Sequence, residues 1–204
     1  MNETDGRRLR GERARAQVLE HATAIASTDG LEGLTIGRVA ADAGVGKGNI
    51  QVLFGDKETL QLATLEAGVV HYLTTMVRPA LALESPLARL RALADGWFDY
   101  IAGGQSPGGC FVCATSYEYR ARPGLIQDRV RGHREGVRAR FREVIAAGQA
   151  AGELRADLDV EQLIFEIEAF RSDANVAFLM GETAVFERAR RSTQARIDAA
   201  VEGQ

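Results

Sequence analysis

Apolar residues recur along this chain at intervals of three and four, the period of a helix with one buried face, and almost nowhere at intervals of two. Val18, Ala22, Ile25 and Ala26 mark a first helix, which Asp29-Gly30 should end because glycine tolerates the positive φ of a helix stop. Thr35 is a good N-cap for a short second helix over residues 35–43, Gly44 breaks it, and a third short helix covers residues 46–53. Asp56 can cap a fourth that runs toward Pro79. Further on, Ser85-Pro86 reads as cap and first helical residue, followed by the stripe Leu87, Leu90, Ala94, Trp97, Phe98 and Ile101.

The glycine-rich stretch 103–109 stops that helix, and a segment over 110–120 follows. Pro123 opens a long helix whose buried face should be Ile126, Val130, His133, Val137, Phe141, Val144 and Ile145. Asp159 with Gln162 three residues later resembles a capping box. Behind it Val160, Leu163, Ile164, Ile167, Phe170, Ala174, Ala177 and Phe178 make one stripe, which Phe165, Val176, Leu179 and Met180 widen. A final amphipathic helix over 182–201 carries Val185, Phe186, Ala189 and Ile197. The pattern predicts an all-α chain in two parts, residues 1–62 and residues 63–204, with the boundary inside the fourth helix.

The segment TIGRVAADAGVGKGNIQVLFGDKETL, residues 35–60, is the most specific part of the chain. Val39 and Ala40, then Val45, then Ile50 and Phe54 are spaced so that two short helices cross around a shared apolar contact, with Gly44 supplying the left-handed turn between them. That is a helix-turn-helix. With Ile50, Leu53 and Phe54 inward, the third helix presents Lys47, Asn49, Gln51 and Val52 outward, and Gly46 and Gly48 let its leading end approach closely. Asn and Gln can bridge adenine N6 and N7, a valine methyl can meet the thymine methyl, and a lysine can reach guanine or phosphate. The bland reading of the same pattern is a helical hairpin with no DNA role.

Charge sharpens this picture. The net charge of −3 speaks mildly against a nucleic-acid partner, but residues 7–15 hold Arg7, Arg8, Arg10, Arg13 and Arg15 against Glu12 alone. Such a run is either a solvated tail or an arm for phosphates, and its place beside the motif favours the arm, with Arg10 and Arg13 as phosphate contacts. Thr35, Arg38 and Lys57 stand where further phosphate contacts would fall. Of 25 basic residues only Lys47 and Lys57 are lysines, and both lie in this segment.

The run AGVGKGNIQVLFGDKETL resembles the TetR family of transcriptional regulators, matching its pattern at Ala43, Gly44, Val45, Lys47, Gly48, Phe54, Lys57, Glu58 and Leu60. Gly46 stands where the family commonly has Ser, and Gln51 where it usually has Tyr or Phe. The resemblance covers residues 14–62. It implies an N-terminal three-helix DNA-binding domain, a C-terminal helical ligand-binding and dimerisation domain, a homodimer on palindromic double-stranded DNA, and repression relieved by a small-molecule effector.

Two copies are also what a small reader needs for affinity. The last two helices should form the dimer bundle, with Phe165, Ala169, Val176, Leu179, Met180 and Phe186 at the interface, unless their stripes are simply core. Trp97, Tyr100, Ile101, Cys113, Tyr117, His133, Val137, Phe141 and Phe170 are candidates to line an effector pocket for a mostly apolar or aromatic compound, though an aromatic at helical spacing also serves as core. Cys110 and Cys113 sit three apart at a helix start, a spacing open to a thiol switch, but no His completes a zinc set and no cofactor is implied. A catalytic role finds carboxylates such as Glu118 and Glu168 but no nucleophile elbow, phosphate loop or metal motif. Control by a protein partner or by thiol oxidation remains the alternative to a small ligand. With neither a signal peptide nor a membrane-length apolar run, the expected compartment is the cytoplasm.

Overall fold

The computed structural model describes residues 3–104 and 107–203, and over them the chain is helical, with β structure limited to one bridge between Leu154 and Val201. Helix α1 spans Glu3–Asp29, α2 Ile36–Asp42, α3 Lys47–Phe54 and α4 Lys57–Tyr72. After α5 (Arg78–Leu81) come α6 (Pro86–Ala102), α7 (Phe111–Tyr119), α8 (Leu125–Ala150), α9 (Val160–Leu179) and α10 (Thr183–Asp198). No helix among the described residues is long and apolar enough to cross a membrane.

Local chemistry sets the helix starts. Thr35 Oγ1 accepts the Arg38 N–H at 3.1 Å, Asp56 the Thr59 N–H at 2.8 Å, Ser85 the Ala88 N–H at 3.1 Å and Asp159 the Gln162 N–H at 3.0 Å. The Gln162 side chain turns to Glu166 instead of back to its cap, so the capping box is made by half. Helix α1 starts far ahead of Val18: the arginine run lies on the same helix, where Arg8 meets Glu12 one turn on at 2.7 Å.

Pro79 does not stop the fourth helix. The backbone widens into a π-helix over Leu73–Val77 and continues as α5, which carries the proline in its first turn. Proline has no N–H to donate and its ring crowds the carbonyl behind it, so a wider turn accommodates it. Thr74 Oγ1 donates to Val70 O at 2.9 Å and Thr75 Oγ1 to His71 O at 2.7 Å, giving carbonyls before the bulge a second donor.

Helix α6 runs through the middle of the body, and Leu90, Ala94, Phe98 and Ile101 are wholly buried against α8, α9 and α10. Helices α9 and α10 form a hairpin packed along its length. Phe186, expected at a dimer face, packs in the core, its ring centroid 5.3 Å from those of Phe98 and Phe178. Buried on its own subunit, it is not available to a partner. His133 also departs from the core face expected for it: it is half-buried, with Nε2 3.0 Å from Glu66.

A tight junction forms where α1 ends. The Glu118 carboxylate of α7 takes the N–H groups of Leu31 and Glu32 at 2.9 and 2.8 Å, passing so close to Gly30 that a Cβ there would stand 2.7 Å from it. Gly30 also has φ +76°, a left-handed conformation that strains any L side chain. Replacing Gly30 by Ala should therefore destabilise the fold by about 1–3 kcal/mol. Gly132→Ala, mid-helix in α8 with nothing within 4 Å of the added carbon, should stabilise it by roughly 0.5–1 kcal/mol. Urea unfolding of the two variants should thus show midpoint shifts of opposite sign.

Candidate nucleic-acid interface and effector cavity

Helix α3 is held by one side only. Ile50 is fully buried and Phe54 nearly so, against the equally buried Val39 and Ala40 of α2 and Val18 and Ala22 of α1. Gly44, at φ +65°, makes the turn, and the Val45 N–H donates to Ala40 O at 2.9 Å to close it. Arg15 completes the grip: its guanidinium donates to Leu53 O at 2.8 Å and stands 4.3 Å over the Phe54 ring. Lys47, Gly48, Asn49 and Gln51 are exposed, and Val52 is 87 % exposed. Four side chains able to read base edges therefore share the free face of the helix that follows the turn.

Around that face Gly46, Thr35, Arg38, Arg10 and Arg13 are exposed, and Lys57 is half-buried. Arg38 pairs with Asp29, and Lys57 donates to Glu32 O at 3.0 Å and lies 3.3 Å from its carboxylate. Each of these two cations is thus paired with a neighbouring carboxylate. Arg15, from the same run as the exposed Arg10 and Arg13, takes a structural role.

Behind the reader, α7 forms a bridge. Its C-terminal end carries Glu118, which caps the α1–α2 turn, and Tyr119, whose hydroxyl donates to Glu32 at 2.7 Å and holds that carboxyl below its ordinary range. Buried Gln61 of α4 donates to Leu31 O at 2.7 Å in the same junction. At its other end α7 is anchored by buried Asn175 of α9, which accepts the Cys110 N–H at 2.6 Å.

The same N-terminal end of α7 walls a cavity of about 70 Å³, lined also by Tyr72, Trp97, Arg134, Val137, Glu168 and Arg171. Of the residues expected to line a pocket, Trp97, Cys113 and Val137 meet here, and Val137 and Phe141 also border a smaller adjoining void. Others are placed elsewhere. Ile101 is fully buried in the core, Phe170 packs half-buried beside it, and Tyr117 is exposed with its hydroxyl on Ser172. Tyr100 faces a broader open groove of about 600 Å³ between α1 and α4. Glu168 is occupied by Arg138 at 2.8 Å. Among the described residues no group of three or more His, Cys, Asp or Glu side chains is arranged to hold a metal ion.

Two features mark this cavity, and the first, Arg171, was not among the residues that the sequence singled out. Arg171 is only 5 % exposed, donates from Nη2 to the carbonyls of Leu93 and Ala94 on α6, and lies between the Trp97 and Phe141 rings at 5.5 and 5.1 Å. The closeness of the Cys110 and Cys113 thiols lowers the pKa of Cys110 and raises that of Cys113, while the Arg171 charge favours the thiolate of both.

On the outer side of α9, Phe165, Ala169, Val176, Leu179 and Met180 are all exposed, Phe165 and Met180 by about two thirds of their surface. They fall at helical spacing on one face, an unusual concentration of large apolar side chains in water.

Comparison with known proteins gives this geometry a family. Residues 86–193 match the family model described as "Tetracyclin repressor-like, C-terminal domain". The HTH-type transcriptional regulator BetI of Yersinia pestis is 36 % identical over 88 residues, a match spanning 42 % of this chain and 44 % of that one, so the chain aligns with less than half of this relative's length. The crystal structure of a TetR transcriptional regulator from Chloroflexus aurantiacus J-10-FL superposes with a TM-score of 0.85 at 25 % identity, covering 94 % of this chain and 98 % of the other. AibR, solved in complex with isovaleryl coenzyme A and operator DNA, shares the fold at a TM-score of 0.63 and 18 % identity, over 78 % of this chain and 84 % of its own. Matched by that model over more than half its length, this chain belongs to the TetR family of transcriptional regulators.

Proposed function

We propose that this protein is a homodimeric DNA-binding repressor that leaves its palindromic operator when a small apolar or aromatic effector enters the body. The observation that carries the reading is the two-sided character of α3, with Ile50 and Phe54 locked inside while Lys47, Asn49, Gln51 and Val52 stand in solvent. In this reading residues 1–62 are the reader and 63–204 the effector and dimerisation body. Asn49 and Gln51 read base edges, Val52 meets a thymine methyl, and Gly46 and Gly48 let the helix end approach the groove. Lys47, Lys57, Thr35, Arg38, Arg10 and Arg13 meet phosphates or guanine, with Arg38 and Lys57 exchanging their carboxylate partners for DNA.

The exposed stripe on α9 supports a dimer through a bundle of α9 and α10, and a dimer would set the spacing of the two readers. Helix α7 supplies a route from cavity to reader: Cys110 and Cys113 line the cavity at one end, and Glu118 grips the α1–α2 turn at the other. An effector that favours one position of α7 would favour one position of α1 and α2, and so one reader spacing.

In a gel-shift titration against DNA upstream of its own gene, the triple variant Lys47→Ala, Asn49→Ala, Gln51→Ala should lose specific binding while its circular dichroism stays unchanged. Each amide should contribute about 1–3 kcal/mol of discrimination at one base pair. Lys47→Ala alone should weaken binding and, if it meets a phosphate, reduce the slope of log affinity against log salt by about 0.9. Unaltered binding by the triple variant would refute the reading. Separately, Val176→Arg should turn the dimer into a monomer in sedimentation velocity and lower DNA affinity, because a desolvated unpaired charge at the interface costs several kcal/mol, about 3–5 by the measure of broken buried pairs. A Val176→Arg protein that still sediments as a dimer would move the interface elsewhere.

A further inference from the structure

We propose that the effector of this protein is a small organic acid, bound in the α7–α9 cavity with its carboxylate on Arg171. The proposal rests on the effector-controlled reading above and narrows its ligand from a mostly apolar compound to an anionic one.

A charge stands in the apolar interior. Arg171 sits on α9 in the interior, 5 % exposed, in a stripe otherwise made of Ile164, Ile167 and Ala174. A guanidinium cannot shed its proton, so burial leaves it charged, and a buried charge needs an anion. Among the described residues no carboxylate lies within 4 Å of it. Glu168 lines the same cavity one turn away, but it is already held by Arg138. The α6 carbonyls and the two aromatic faces satisfy part of the guanidinium, yet its Nε–H is buried with no partner at all. It is the one buried side-chain nitrogen or oxygen among the described residues in that condition.

The surroundings repeat the same sign. Arg134 of α8 lines the cavity, half-buried, and forms no ion pair among the described residues. The lining thus holds two arginines without carboxylate partners and one glutamate already neutralised. The Cys110 thiol lies on the same wall, and its pKa is lowered first by Cys113, then by Trp97, with the Arg171 charge adding a smaller effect in the same direction. The rest of the lining is apolar or weakly polar: Tyr72, Trp97, Val112 and Val137, with Ser172 as a further hydroxyl.

Arg171 with an unsatisfied donor in the wall, Arg134 on the same lining and a small, mostly apolar space fit a monoanion with a short hydrocarbon or aromatic body. A carboxylate accepts from guanidinium groups in charge-assisted hydrogen bonds and offsets the cost of an unpaired buried cation. A phosphate would bring a second charge and more oxygens than the cavity has free donors. Cys110 and Cys113 place the ligand against the helix that reaches the reader through Glu118, so occupancy here is in position to act on DNA binding.

The test compares acids with their neutral isosteres on the full chain: butyrate with butyramide and benzoate with benzamide, at neutral pH and matched ionic strength. Calorimetric titration should show an acid bound about tenfold or more tightly than its amide, a difference of roughly 1.4 kcal/mol. Arg171→Met should bring the ratio toward one. Should that variant fold poorly by circular dichroism, Arg134→Gln, at the half-exposed wall, should still lower acid affinity several-fold while leaving amide affinity in place. Equal binding of acid and amide, or no binding of either acid to wild-type protein, would overturn the proposal. Gel shifts with promoter DNA on the same preparation keep the two readings apart: a protein that binds DNA but no acid refutes the ligand class, and one that prefers acids but binds no DNA refutes the regulator.

Discussion

An eight-residue helix has no stability of its own in water, because nucleating it costs more than its few hydrogen bonds return. Helix α3 therefore exists, and points where it points, only through the burial of Ile50 and Phe54 against α1 and α2. Emptying the Ile50 site would cost about 2–5 kcal/mol, a large fraction of a small module's stability. The glycines around the helix make this dependence stronger. Gly46 and Gly48 add flexibility at the end that would lead into a groove, and Gly55 at φ +79° ends the helix. Orientation comes from the apolar side and Arg15 above Phe54, and the polar side is left free for a partner.

The rest of the molecule can be understood as what holds this module in register. Glu118 spends both carboxylate oxygens on two backbone N–H groups of the α1–α2 turn, Gln61 takes the Leu31 carbonyl, and Tyr119 and Lys57 meet on Glu32. These directional contacts tie the end of α7 to the α1–α2 turn. At its other end α7 hangs from Asn175 of α9, the helix that also carries Arg171 and the exposed apolar stripe. Cavity, outer face and reader are thus connected through a nine-residue helix.

Much of this was legible in the sequence because it depends on neighbours along the chain. The caps at Thr35, Asp56, Ser85 and Asp159, the turn at Gly44 and the inward set Val39, Ile50 and Phe54 follow from local spacing and turn chemistry. What escaped depends on a local change of helix type at Pro79 and, elsewhere, on partners far away in sequence. Pro79 was expected near a helix end, but a π-turn stabilised in part by two threonine hydroxyls carries the helix past it. Phe186 shares its spacing with an interface residue and is claimed by Phe98 and Phe178 instead. Glu118 was weighed in the sequence only as a carboxylate for catalysis, and its two N–H partners lie 86 and 87 residues away. An arginine in an apolar stripe is usually a solvated one, and only the packing of α6 and α8 around Arg171 shows it buried.

The central claim is that α3 meets DNA with its free face while its apolar face never leaves the protein. Amide chemical-shift mapping of the protein titrated with a duplex from its own promoter tests this residue by residue. The account predicts amide shifts concentrated on residues 46–52 and the leading turn of α2, with the Ile50 methyl resonances, followed in a parallel carbon-edited spectrum, left in place. Shifts confined to α9 or the open groove beside α1, with Asn49 and Gln51 silent, would contradict it.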